Sequence, residues 1–205
     1  GASELMSNIS TSLISVLYNL QLLKFAGENG VAAYGTLMYI QFIFIAVFIG
    51  YTIGTGPVIS YHYGAGNHKE LKNLLVRSLV LVSAAGVAMR ILAWALAGPL
   101  AGVFVGYDAE LAAMTRHAFQ LFAFSFLMSG VNIFASAFFT ALNNGVVSAA
   151  ISFLRTLGFQ VLCVLALPVF FGLDGIWSSI AVAEMLACVV SALFLTGNRK
   201  RYHYG

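Results

Sequence analysis

The chain has 205 residues, of which 60% are hydrophobic and only 8% charged, and its mean hydropathy is +0.92. No soluble core of this length needs so much apolar surface, so the composition excludes a water-soluble globular domain and places the chain in lipid. Ten Lys and Arg against seven Asp and Glu give a net charge of +3, which basic loops at one membrane face account for without a nucleic-acid partner.

A helix crosses about 30 Å of hydrocarbon with about 20 residues. Six segments qualify: Ser3–Phe25, Val31–Tyr61, Leu71–Leu96, Glu110–Leu142, Val146–Phe171 and Ile176–Thr196. Runs such as Ile40–Ile49 are apolar on every face, which predicts helices and not a barrel of alternating strands. The expected fold class is an all-α integral membrane unit, with residues 1–205 forming one six-helix lobe.

In the first segment Glu4, Asn8, Thr11, Ser15 and Asn19 recur at steps of four, three, four and four, so they stack on one helix face. The segment is too polar for a signal peptide and lacks a basic leader. In the second, Gly50-xxx-Gly54 predicts a close helix approach, and Gly54, Gly56 and Pro57 predict a hinge, because proline removes a backbone donor and bends the helix. The third carries Arg90. The fourth carries a second polar stripe of Ser125, Ser129, Asn132, Ser136 and Thr140. Arg155 lies in the fifth and Glu184 in the sixth, near mid-membrane by residue count. Cys163 and Cys188 sit among apolar residues and read as small buried hydrophobes.

Topology follows from the bases. Lys69, Lys72 and Arg77 follow the second segment, and Arg199, Lys200 and Arg201 end the chain. Gly98–Ala109 and Pro168–Gly175 carry acids and no base. The positive-inside rule then puts both ends of the chain in the cytoplasm, in a multi-pass protein of the plasma (inner) membrane.

The chemistry must lie in polar groups that lipid excludes. Two polar stripes predict a shared aqueous cavity, against the plainer reading that Ser and Thr line tight helix contacts. Glu4 favours function, since a carboxylate near lipid is costly. Arg90 and Arg155 are both at a depth to pair with Glu184, and residue counting does not choose between them. Such a pair is more often a structural tie than a working device; the alternative is that Glu184 exchanges its arginine for a proton or cation. His62 and His68 lack a carboxylate or thiolate companion, so no metal is assigned. No nucleophile-with-base set or phosphate loop is present, so no enzyme and no organic cofactor are expected.

Three blocks resemble the multidrug and toxic compound extrusion transporters, in particular their bacterial multidrug efflux branch. They are Asn19-Leu20-Gln21-Leu22-Leu23-Lys24, Gly27 through Gly35, and Gly56-Pro57-Val58-Ile59-Ser60-Tyr61-His62-Tyr63-Gly64-Ala65-Gly66-Asn67. Similarity extends to Ala137–Asn143 and to Gly175-Ile176-Trp177 leading to Ala183-Glu184. The resemblance implies a twelve-helix transporter of two lobes, with this chain as the C-terminal one and an N-terminal six-helix lobe as its partner. The start at Gly1 and the basic tail suit such a half. It further implies antiport of small organic cations and drugs against Na+ or H+, with Glu4 as the acid of the second lobe's first helix. Where some members carry an acid on the fourth helix, this chain has Asn132. Tyr18, Phe42, Phe44, Phe122, Phe124 and Phe126 would offer cation–π surface. Two alternatives stand beside this: a flippase for lipid-linked oligosaccharides, using Arg90 and Arg155, and a non-transporting membrane scaffold.

Overall fold

The computed structural model describes the backbone of residues 1–205 and every side chain except those of Ala2 and Ser3. Five helical runs are long and apolar enough to cross a membrane. The first, Ala2–Gly64, is interrupted at Gly27, whose φ of 64° and ψ of −150° belong to no helix. It therefore divides into α1 (2–26) and α2 (28–64). Tyr18 and Tyr34 prove the reversal: sixteen residues of straight helix would separate them by about 24 Å, yet their rings stack at 5.2 Å. The remaining helices are α3 (His68–Val105), α4 (Ala109–Ala141), α5 (Gly145–Phe171) and α6 (Leu173–Asn198). The six expected crossings are present.

Boundaries differ where glycine and proline were read as loops. The gap expected between Phe25 and Val31 shrinks to the single residue Gly27, because glycine alone adopts that backbone conformation freely. The third helix passes through Pro99 to Val105, nine residues beyond its expected end at Leu96, so a proline in lipid does not stop it. Gly54, Gly56 and Pro57, the residues of the expected hinge, lie within α2, and the break in helical backbone falls at Gly27. The approach expected through Gly50 and Gly54 is also not made inside the lobe, since a Cβ at either would meet nothing within 4 Å. The close approach occurs at Gly86 of α3, where a Cβ would lie 2.6 Å from the Phe126 carbonyl oxygen.

Turn chemistry closes the ends. Asn67 caps α3 through Glu70 N–H, Asp108 caps α4 through two N–H groups, and Asn144 caps α5 through Val147 N–H. The core is aromatic, with Phe119, Phe122, Phe126, Phe134, Phe138 and Phe139 of α4 all buried. Helix α4 is therefore the central member, packed against α2, α3, α5 and α6.

One end of the bundle gathers the bases. Tyr202 of the tail packs on Tyr63 and Phe139, His203 meets His68, and Asn144 donates to the Tyr202 hydroxyl. Tyr204 is buried and donates to Leu195 O, and burial pushes its phenol well above the usual range. At the opposite end His117 of α4 pairs with Asp174 of α6 at 2.8 Å. Because α1 and α2 are antiparallel, the start of α1 shares the basic end with the tail, as an even number of crossings requires.

Candidate functional site

The two polar stripes lie in different surroundings. On α1, Glu4, Asn8 and Thr11 are exposed on the outside of the lobe, and Ser15 and Asn19 are half-buried. Ser15 and Asn19 line a groove of about 510 Å³ between α1 and α2, completed by Tyr34, Met38, Tyr39 and Phe42. The side-chain amides of Asn8 and Asn19 have no hydrogen-bond partner among the described residues.

The α4 stripe is sealed from Ser125 to Ser136, contrary to the shared cavity expected for Ser129, Asn132 and Ser136, and only Thr140 at its end is exposed. Asn132 is 0% exposed, and Ser125 and Ser129 are 1% exposed. Ser129 donates to Ser125 O, and Ser136 joins the hydroxyls of Ser148 and Ser152 on α5. Periodicity showed correctly that these residues share a face; the face turns inward, because α4 is packed against four other helices.

Inside that interface the structure chooses the partner of Glu184. Arg155 donates from Nε to both carboxylate oxygens, at 3.0 and 3.1 Å. Asn132 Nδ2 donates to Glu184 Oε2 at 2.7 Å and to the Glu184 backbone oxygen at 2.9 Å, while Ser191 donates to Asn132 Oδ1 at 3.0 Å. Three helices, α4, α5 and α6, thus meet on one carboxylate that is 1% exposed. Losing either charged partner of such a pair typically costs about 3–5 kcal/mol, since the other charge is left buried alone.

Arg90 is not part of this pair. Its guanidinium carbon lies 4.1 Å from the centre of the Phe124 ring, a cation–π contact, and its Nε is buried without a partner. The π-turn Leu154–Gly158 that carries Arg155 had no signal in residue pattern. The role of Asn132 in holding Glu184 was likewise missed; matched depths on neighbouring helices were the one available clue. Of the candidate aromatics, Phe42 lines the groove and is 76% exposed, whereas Tyr18, Phe122 and Phe126 are core residues.

A search among curated proteins gives no match. Among solved structures, the chain resembles MATE in the straight conformation with a TM-score of 0.92 and 21% identity, over 100% of this chain and 46% of that one. An outward-facing multidrug resistance MATE family transporter matches with a TM-score of 0.89 and 22% identity, over 97% of this chain and 45% of that one. An inward-facing one matches with a TM-score of 0.89 and 21% identity, over 97% and 46%. At these identities the likeness establishes the fold, and the chain spans less than half the length of each structure. The sequence profile of MatE matches residues 5–165. Most of the chain lies within that profile, its helices superpose on MATE structures end to end, and the chain therefore belongs to the MatE family.

Proposed function

We propose that the chain is the C-terminal six-helix lobe of a secondary active exporter, which moves organic cations outward in exchange for Na+ or H+ by alternating access against an N-terminal lobe. One observation carries this reading: one face of α1 presents Glu4 and Asn8 exposed and Asn19 in the wall of a groove of about 510 Å³, and the two amides find no partner among the described residues. Such groups cost several kcal/mol each against hydrocarbon, so water or a second lobe must cover them.

The aromatic lining, Tyr34, Tyr39 and Phe42, suits a flat lipophilic cation. Rigid-body motion is supported by the equal TM-score of 0.89 to the outward-facing and inward-facing transporters, since a lobe that matches both need not refold between them. Coupling then arises because ion and substrate stabilise different lobe arrangements. The basic end of the bundle would face the cytoplasm of the plasma membrane, following the positive-inside rule. The flippase alternative draws less support, because Arg155 is neutralised by Glu184 and neither it nor Arg90 lines the groove.

The test is transport by the full-length protein in inside-out vesicles. Uptake of a fluorescent organic cation should follow an imposed Na+ or proton gradient, and Glu4→Gln should reduce it by about tenfold without changing protein yield. Wild-type vesicles that accumulate no cation under either gradient would refute the exporter reading.

A further inference from the structure

Glu184 is the one carboxylate buried in the lobe among the described residues, and its surroundings contain more than a structural tie requires. Helices α4 and α6 are already joined by neutral bonds, Asn132 Nδ2 to Glu184 O at 2.9 Å and Ser191 Oγ to Asn132 Oδ1 at 3.0 Å. Neither uses the carboxylate. The ionic contact ties α5 to α6 with a buried charge pair, on top of the neutral α4–α6 bonds and the neutral α4–α5 bonds of Ser136 with Ser148 and Ser152.

The arginine also holds its partner loosely in kind. Only Nε is directed at the carboxylate, split between both oxygens at 3.0 and 3.1 Å, where a fork of two parallel N–H donors would bind more strongly. Its side chain is 15% exposed while that of Glu184 is 1% exposed, so the arginine side chain reaches a surface of the lobe that the carboxylate does not. It projects from the π-turn Leu154–Gly158, a local irregularity of a kind that recurs at functional sites.

We propose that Glu184 is an exchange site for a monovalent cation, at which H+ or Na+ replaces the Arg155 guanidinium. On protonation an O–H bond forms at a carboxylate oxygen with a proton drawn from the aqueous phase; on Na+ binding the ion takes the place of Nε. In both cases the carboxylate's charge is compensated by the incoming ion, and Arg155, now surplus, swings toward its exposed side. Asn132 stays anchored throughout, because its bonds to Glu184 O and Ser191 do not depend on the carboxylate. The groups facing the site are Asn132 from α4, Arg155 from α5, and Ser191 and Cys188 from α6. From the other helices, Glu4, Lys24, Glu28 and Arg77 are exposed, and Arg90 is turned onto Phe124. Among the described residues no second buried charge therefore competes for Glu184. This site would supply the coupling ion of the exporter and rests on that reading.

The experiment uses full-length protein and two variants. Glu184→Gln with Arg155→Gln removes both charges and keeps the neutral bonds, and Arg155→Lys weakens the competitor while keeping its charge. In proteoliposomes with a fluorescent organic cation, a pH gradient without Na+ and a Na+ gradient at symmetric pH form separate arms. The double variant should retain downhill movement but lose gradient-driven accumulation at least tenfold, in the arm of the ion that binds. Arg155→Lys should lower the half-maximal concentration of that ion at least threefold, read both by transport and by the ion dependence of the melting temperature. Accumulation by the double variant at the wild-type level would overturn the proposal. So would an unchanged ion dependence of melting in Arg155→Lys, a readout that needs neither a folded double variant nor a transported cargo. Wild-type protein that shows ion-dependent melting but moves no cation would instead refute the exporter reading and leave the ion site standing.

Discussion

Replacing Gly86 by alanine sets two terms against each other that the structure allows to be separated. An alanine Cβ at residue 86 would lie 2.6 Å from Phe126 O, 3.3 Å from Leu127 O and 3.4 Å from Leu127 Cα. Ordinary contact begins near 3.4 Å, so α3 must withdraw from α4 by about 0.8 Å, and the opposing atoms are backbone that cannot rotate away. Overpacking of this kind costs about 1–3 kcal/mol. The substitution simultaneously gains about 1 kcal/mol of helix propensity, which by itself would hide the effect. Gly102 supplies the correction: it lies on the same helix and a Cβ there meets nothing within 4 Å. Comparing Gly86→Ala with Gly102→Ala cancels propensity and leaves the packing term of about 1–3 kcal/mol. Thermal unfolding in one detergent should show Gly86→Ala melting lower, by about 2–4 °C per kcal/mol for a chain of this size. Equal melting temperatures for the two variants would refute the close approach of α3 and α4.

Two further variants probe the helix ends. Gly27→Ala should lower stability by about 1–3 kcal/mol through backbone strain alone, because φ is 64° and no atom lies within 4 Å of a Cβ there; a wild-type melting temperature would show that the α1–α2 reversal does not need glycine. Asp174→Asn should change stability by less than about 1 kcal/mol, since the His117–Asp174 pair is more than half exposed at 55% and 56%; a larger loss on thermal unfolding would mean that the pair is shielded in the intact protein.

Class, crossing number and the gathering of bases at one end were legible because they follow from quantities additive along the chain: hydropathy, segment length and charge. Azimuth is not additive. The spacing of Ser125, Ser129, Asn132 and Ser136 states that they share a face, but which neighbour that face meets depends on how α4 is rotated within the bundle. The same holds for glycine: Gly50-xxx-Gly54 satisfies a contact motif, yet a Cβ at either would meet nothing within 4 Å among the described residues, while Gly86 belongs to no such motif and makes the tightest approach of α3. Depth, by contrast, was readable, and it limited the partners of Glu184 to Arg90 and Arg155. The choice between them is a matter of azimuth again: Arg155, in the π-turn Leu154–Gly158, faces Glu184, and Arg90 faces Phe124.

Hydroxyls and amides also differ in what their exposure means. Thr11 donates to Ser7 O at 2.8 Å, Thr52 to Ile49 O at 2.8 Å and Thr196 to Ala192 O at 2.8 Å. Each is exposed or half-buried on a helix surface, and each is satisfied by its own helix, so lipid can cover it at little cost. An asparagine amide carries two donors and an acceptor, and those of Asn8 and Asn19 bond to nothing among the described residues. Thr11 therefore says little about which face of α1 meets water, although it lies in the same stripe. Asn8 and Asn19 say a good deal: if the α1 face that carries them turned toward hydrocarbon, each amide would lose its hydration without replacement, at several kcal/mol apiece. The neighbouring exposed positions Leu5, Ile9, Leu13, Val16 and Leu20 belong to the part of α1 that lipid can cover. On that argument the edge of the lipid-covered surface runs along α1 itself, with its aliphatic side chains on one side and its amides, covered by water or a second lobe, on the other.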